Sequence, residues 1–288
     1  MAAPKARADV TGDDSSRSGA ATGSSLHRLI ATGVTKQYNG VAVIEDVDLS
    51  VREGEFVAIL GPSGAGKTTL FRCIAGLQTM DCGRVDIGGL DLAAIRGRRR
   101  RRVAIVFQHY NLVGRMNALD NVLAGRLGHV PAWRGILRRF ERRNRLLALE
   151  CLDRVGLLAH ASAYAGTLSG GQRQSVAIAR ALAQQPDVII ADEPVASLDP
   201  TAAAGVLDLL RSIARKDGVG VIFSLHQTQL APAYSDRIVG RVRGRVVFDG
   251  AARTFDSAAS DMLYDRAVGM PLSDGNLRSS VFGLMEPT

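Results

Sequence analysis

Between an apolar run, Phe56 to Leu60, and a helix-like one, Thr68 to Leu77, stand eight residues that could do chemistry: Gly61-Pro62-Ser63-Gly64-Ala65-Gly66-Lys67-Thr68. The glycines let the backbone curl so that successive N–H groups point inward, and the helix that follows adds the positive end of its dipole. Such a loop cradles phosphate oxygens. Lys67 is placed to reach a β- or γ-phosphate, and the Thr68 hydroxyl to bind a magnesium ion. The chain has only four lysines, and one falls where this spacing needs it. The bland alternative is a glycine-rich turn with a surface lysine; a strand before and a helix after weigh against it.

A second set of residues supplies carboxylates. Val188-Ile189-Ile190-Ala191 reads as a buried parallel strand that ends at Asp192-Glu193. The C-terminal edge of such a sheet is where ligands bind. Asp192 is placed to hold magnesium, directly or through water, and Glu193 to orient and deprotonate an attacking water. The alternative is a core strand that ends in two solvated acids. A third set is Leu168-Ser169-Gly170-Gly171-Gln172, which opens a helix running from Gln172 to Ala183. Ser169 can cap that helix and leave backbone N–H groups for an anion.

These residues need elements to position them. Short β-branched runs alternate with helical ones in two stretches, the pattern of a parallel α/β sheet. The first covers about Leu29 to Phe107, with strands expected at Val41 to Leu49, Glu55 to Leu60, Arg84 to Ile87 and Val103 to Phe107. The second covers about Asp187 to Phe248, with strands at Val188 to Asp192, Val219 to Ser224, Arg237 to Val239 and Arg245 to Phe248. Residues 109–185 have helical periodicity, so one nucleotide-binding core is interrupted by a helical insertion. A weak helical pattern surrounds Ala258 to Ala267.

At 288 residues, 46% hydrophobic and 22% charged, the composition is that of a folded soluble protein with a sizeable core. Its apolar runs fall far short of the roughly 18 residues that span a bilayer. Residues 1–27 are small and polar without a secretory apolar core, and read as a disordered leader. Cys73, Cys82 and Cys151 are scattered and lack metal-ligand spacing, which suits a reducing cytoplasm. The net charge of +8 is local: residues 96–145 hold fourteen arginines against Asp120 and Glu141, a net +12, so the remainder carries −4. One knot is Arg98 to Arg102, another Arg134 to Arg145. Such a patch suits RNA, DNA, anionic lipid headgroups or an acidic partner, or is a solvated helix face. Without interleaved aromatics to stack bases, nucleic acid is not the expected partner.

The wording Leu168-Ser169-Gly170-Gly171-Gln172, just upstream of the strand ending at Asp192-Glu193, resembles the signature motif of ATP-binding-cassette ATPases. Other marks of that family stand in order: Tyr38 where an adenine-stacking aromatic is expected, Gln108 as the Q-loop, Ser197-Leu198-Asp199 as the D-loop, and His226 as the switch histidine. The resemblance covers about residues 28–255. It implies an α/β P-loop NTPase core with a parallel sheet, an antiparallel β subdomain and an inserted helical subdomain, followed by a C-terminal extension, 256–288. It implies ATP and Mg2+ as cofactors and a homodimer. In it, each ATP lies between one subunit's Tyr38 and Gly61 to Thr69 (Gly61, Pro62, Ser63, Gly64, Ala65, Gly66, Lys67, Thr68, Thr69) and the partner's Ser169, Gly170, Gly171 and Gln172, with Asp199 nearby. Thr68, Gln108 and Asp192 would attend the metal, while Glu193, His226 and Gln108 would serve hydrolysis. One departure is Arg173-Gln174-Ser175, where the family usually has glutamine first and arginine third; the charge moves to another helix face.

The segments Val106 to Arg115, Asn121 to Gly128, Pro194 to Pro200 and Ser224 to Gln227 are similar to those of phosphonate importer cassettes. This resemblance implies an import ATPase at the cytoplasmic face of the membrane, working with permease subunits, and indirectly a substrate-binding protein, on phosphonate or a related phosphorus oxyanion. A soluble cassette of a phosphonate-degrading assembly, an importer cassette for another small polar solute, and a nucleic-acid-acting ATPase are the alternatives. Under the first reading the arginine knots are expected to meet the anionic leaflet beside the permease.

Overall fold

The computed structural model describes residues 27–94, 101–225 and 228–268. In chain order the strands are β1 (His27–Tyr38), β2 (Val41–Arg52), β3 (Phe56–Leu60), β4 (Cys82–Ile87), β5 (Leu90–Asp91), β6 (Val103–Val106), β7 (Val188–Ala191), β8 (Gly220–Ser224), β9 (Arg237–Val242) and β10 (Arg245–Ala251). The helices are α1 (Lys67–Ile74), α2 (Ala118–Ala124), α3 (Ala132–Ile136), α4 (Arg142–Arg154), α5 (Gly170–Ala183), α6 (Pro200–Asp217), α7 (Ala231–Tyr234) and α8 (Ser257–Val268).

Two sheets result. One has six strands in the order β10-β9-β3-β8-β7-β6, all neighbours parallel except the β9–β10 hairpin. Its inner strands are continuous apolar runs because both faces are covered. Phe56, Ala58 and Leu60 of β3 point into a core shared with the inserted helices, while Val57 and Ile59 point into a second core under the other sheet. Ile189 and Ala191 of β7 divide from Val188 and Ile190 in the same way.

The other sheet is antiparallel, in the order β2-β1-β4-β5. Alternation had placed the strands equivalent to β2 and β4 in a parallel pattern, and no strand before Val41. The chain instead makes a hairpin: Asn39 and Gly40 both take positive φ, 51° and 79°, the two-residue turn whose twist matches paired strands. That turn forces β1 against β2. The segment 109–185 holds α2 to α5 and, among its described residues, no strand. Residues 1–26 of the leader, Arg98 to Arg100 of the first arginine knot, His226, and residues 269–288 of the expected extension lie outside the described residues, while His27, expected in the leader, begins β1 because it pairs with Arg52.

Candidate active site

β3 ends at Leu60, and the chain turns through Gly61 to Gly66 before α1 begins at Lys67. Two glycines there are dictated by close approach as well as by φ. A Cβ on Gly61 (φ 152°) would lie 2.2 Å from the Arg241 carbonyl oxygen, and one on Gly66 (φ 82°) would lie 2.4 Å from that of Val43. The loop is therefore seated between β9 and β2 with no room for a side chain. Lys67 is buried, and its Nζ donates to the carbonyls of Gly61 (2.6 Å) and Pro62 (3.1 Å). Burial pushes its pKa down; the carboxylates of Glu193 and Asp192 pull it back up, and Arg241 lowers it.

The acids arrive from β7. Adjacent register aligns Val106, Ala191 and Phe223 across β6, β7 and β8, so Asp192 leaves the sheet beside Ser224. The Thr68 hydroxyl donates to Asp192 Oδ2 (2.9 Å), and Ser224 Oγ donates to Asp192 Oδ1 (2.9 Å). The same Ser224 Oγ accepts from the Glu193 backbone N–H (2.9 Å). Glu193 sits at φ 50°, a left-handed conformation that costs a non-glycine residue about 1–2 kcal/mol. A hydrogen-bonded chain thus runs Thr68, Asp192, Ser224, Glu193 and ties the phosphate loop to the second acid.

This donor set suits magnesium. A hydroxyl and a carboxylate, both hard oxygen donors, stand together at the loop, and magnesium takes one or two such ligands with phosphate oxygens and waters. Among the described residues no group of three or more His, Cys, Asp or Glu side chains could hold a metal without a phosphate.

Other expected residues lie apart from this chain. Tyr38 is exposed at the end of β1, with the Lys36 ammonium 5.5 Å from its ring centre. Gln108 is exposed just beyond β6. Ser169 caps α5 reciprocally: its Oγ accepts from the Gln172 N–H (3.2 Å) and its N–H donates to Gln172 Oε1 (2.9 Å). The Gln172 side chain is thus taken up in the cap, and Gly170 and Gly171 hold first-turn amides that a helix leaves unpaired. Asp199 caps α6, accepting from the Ala202 N–H (2.9 Å). Among the described residues no hydrogen bond joins residues 169–172 to residues 61–69.

Three features went unread in the sequence. Ser224, fully buried, is the hub between the two acids; its signal was a lone hydroxyl ending the apolar run Val221-Ile222-Phe223. Arg241 is also fully buried, on β9 behind the phosphate loop. Its Nη1 donates to the Gly66 carbonyl and its Nη2 to the Gly244 carbonyl, each at 2.9 Å, while its Nε has no hydrogen-bond partner among the described residues. Burial pushes its pKa down to about 10. The third is a clamp on the segment after Gln108. Tyr110 and Asn111 both take positive φ, and Arg180 holds their carbonyls at 2.8 and 2.6 Å. The displaced charge of the signature helix joins this clamp: Arg173 donates to the Leu168 carbonyl (2.7 Å) and stacks 5.5 Å from the Tyr110 ring centre.

A phosphate loop, an acidic pair on the neighbouring strand and an inserted helical subdomain place the molecule among the P-loop ATPases of the cassette class. The chain belongs to the ABC transporter family, whose model matches residues 44–196. It is 48% identical over 244 residues to the hypophosphite import ATP-binding protein HtxD of Stutzerimonas stutzeri, covering 82% of this chain and 70% of that one. It is 43% identical over 241 residues to the phosphonates import ATP-binding protein PhnC 1 of Rhodopseudomonas palustris, covering 82% and 89%. Among solved structures it is similar to the dimeric cassette MJ0796 in a post-hydrolysis state bound to ADP and Pi, with TM-score 0.68, 33% identity, and coverage of 79% of this chain and all of that one.

Proposed function

We propose that two copies of this chain close around two ATP molecules beneath a membrane permease, at the cytoplasmic face, and drive import of a phosphorus oxyanion of the phosphonate, phosphite or hypophosphite kind. The hydrogen-bonded chain from Thr68 through Asp192 and Ser224 to Glu193 carries the ATPase part of this reading. The named relatives support the solute class. In this reading residues 28–255 are the working cassette.

The loop amides and Lys67 take the triphosphate, Lys67 exchanging the carbonyls of Gly61 and Pro62 for phosphate oxygens. Tyr38 stacks on the adenine. Thr68 and Asp192, with Gln108, would hold magnesium, which would supply neutralisation of the triphosphate charge. Glu193 accepts the proton of the attacking water as the bond from the γ-phosphorus to the bridging oxygen breaks, giving ADP and phosphate. Ser224 fixes the start of that side chain through the backbone N–H. The partner's Gly170 and Gly171 amides bind the γ-phosphate, with His226 assigned to hydrolysis by its motif, so hydrolysis removes what joins the two copies. Arg173 and Arg180 bind the segment after Gln108 to α5, so a shift of the signature helix is passed to the Q-loop and the permease.

Glu193→Gln tests the reading. It removes the base but keeps the binding groups, so ATP turnover falls by about 10²–10⁴-fold, and light scattering in ATP gives twice the 30.6 kDa monomer mass. A monomer in ATP would overturn the dimer.

A further inference from the structure

Arg101, at the described end of the first arginine-rich run, reaches the segment that leads into the second. Arg101 donates to the Gly128 carbonyl (3.1 Å), and next to Gly128 the Leu127 side chain packs against Gly135 of α3. Arg126, buried between them, is held by Asn144 (2.9 Å) and by the Ala183 carbonyl (2.8 Å). Its pKa is pushed down by burial first, and also by the charges of Arg101 and Arg143. Arg101 therefore adjoins the basic face that the second run gives the helical insertion.

That face also displays apolar side chains that a solvated basic surface does not need. Trp133, Ile136 and Leu137 are 54%, 81% and 59% exposed. The Arg134 guanidinium lies 5.2 Å from the Trp133 ring centre and is ion-paired with Glu141, the one acid between residues 127 and 145. Arg138, Arg139, Arg142 and Arg143 are exposed, and none is paired with an acid among the described residues. A short turn carrying tryptophan and aliphatic residues at its tip, ringed by arginines, combines the two forces that seat a protein on an anionic bilayer. Contrary to the expectation from sequence, the basic run does hold aromatics, Trp133 exposed and Phe140 half-buried, but nucleic acid offers nothing to Ile136 and Leu137.

We infer that residues 131–143 are a lipid-contacting surface: Trp133, Ile136 and Leu137 enter the headgroup region of an anionic membrane while the surrounding arginines meet its phosphates. The contact orients the helical insertion toward the bilayer independently of the transported solute.

Trp133 is the chain's only tryptophan, so its fluorescence reports directly on this turn. The full chain is titrated with vesicles of phosphatidylcholine alone or with 30% phosphatidylglycerol, at low and high salt. We expect a blue shift and quenching by brominated lipid with the anionic vesicles at low salt only. Arg138→Gln with Arg139→Gln is expected to weaken binding by about fivefold per arginine. Ile136→Ser with Leu137→Ser is expected to reduce the blue shift. All four residues are exposed and outside the nucleotide site, so basal ATPase activity and circular dichroism stay unchanged. Unshifted emission with anionic vesicles overturns the inference, as does tighter binding to a single-stranded oligonucleotide. So do substitutions that spare vesicle binding but abolish co-purification with a permease. The assay needs no transport, so a failed import experiment and a failed lipid contact are separately visible.

Discussion

Arg241 offers the sharpest separation between holding the fold and holding the nucleotide. Its guanidinium is fully buried behind the phosphate loop and braces the Gly66 carbonyl, while its own carbonyl packs where a Gly61 Cβ would stand. Its pKa, pushed down to about 10 by burial, means that holding the charge there rather than in water costs roughly 3 kcal/mol. Arg241→Met removes that cost together with two charge-assisted hydrogen bonds of about 1.5–3 kcal/mol each. Exchanges of buried charge for an apolar side chain are often neutral or stabilising. Urea unfolding should therefore place the variant between parity with the parent and about 3 kcal/mol less stable. ATP binding should not be spared. A unit charge that braces the phosphate loop from behind contributes on the order of 1–3 kcal/mol to binding a triphosphate at an effective dielectric of about 20, or roughly tenfold or more in affinity. Titration with a fluorescent ATP analogue measures this, and Arg241→Lys should keep most of the affinity. The pH dependence has a definite sign. A folded pKa of about 10, below the unfolded one, adds stability at high pH that is lost as pH falls to about 10. The parent should therefore gain about 1 kcal/mol on the methionine variant between pH 8 and 11. A loss of more than 3 kcal/mol in stability with unchanged ATP affinity would refute this reasoning and leave Arg241 a purely structural residue.

Other expectations follow from the same geometry. Ser224→Ala leaves the Glu193 N–H without its acceptor and should cost about 1–3 kcal/mol of stability; kcat should fall further than KM rises, and a variant with normal kcat would show that the hub does not position Glu193. Gly66→Ala drives a Cβ toward the Val43 carbonyl at positive φ, with about 1–3 kcal/mol of strain; ATP affinity should drop roughly tenfold or more, checked by the same titration, whereas full affinity would mean the loop is seated otherwise. Arg173→Ala releases Tyr110 and the Leu168 carbonyl, so permease-stimulated ATPase should fall more than basal ATPase, and an equal fall in both would argue against the clamp.

Much of the nucleotide core is legible because its geometry is local. The loop's glycines, Lys67 and Thr68 are consecutive, the Asp192-Glu193 pair terminates one strand, and Ser169 and Gln172 cap within one helical turn. What was missed depends on contacts distant in sequence. β1 hides because bulges between Ala31 and Val34 and on to Lys36 break its two-residue period. The inward-facing Lys36, paired with Asp81 at 2.7 Å, further dilutes its apolar signal. The parallel expectation for β2 failed on the Asn39-Gly40 turn, a hairpin signal passed over in favour of alternation. Ser224 and Arg241 meet their partners across strands 32 and 175 residues away. The link from Arg101 to the second run likewise rests on its contact with Gly128.

If ATP turnover here serves uptake of a phosphorus oxyanion, as we propose, it must respond to the loaded binding protein. The most direct test is ATPase activity of this chain reconstituted in proteoliposomes with its permease and binding protein, the latter loaded in turn with methylphosphonate, phosphite, hypophosphite or phosphate. Stimulation by one of these oxyanions, abolished by Glu193→Gln, is the predicted result. Basal turnover that no loaded form changes, but that an unrelated solute does, would contradict it.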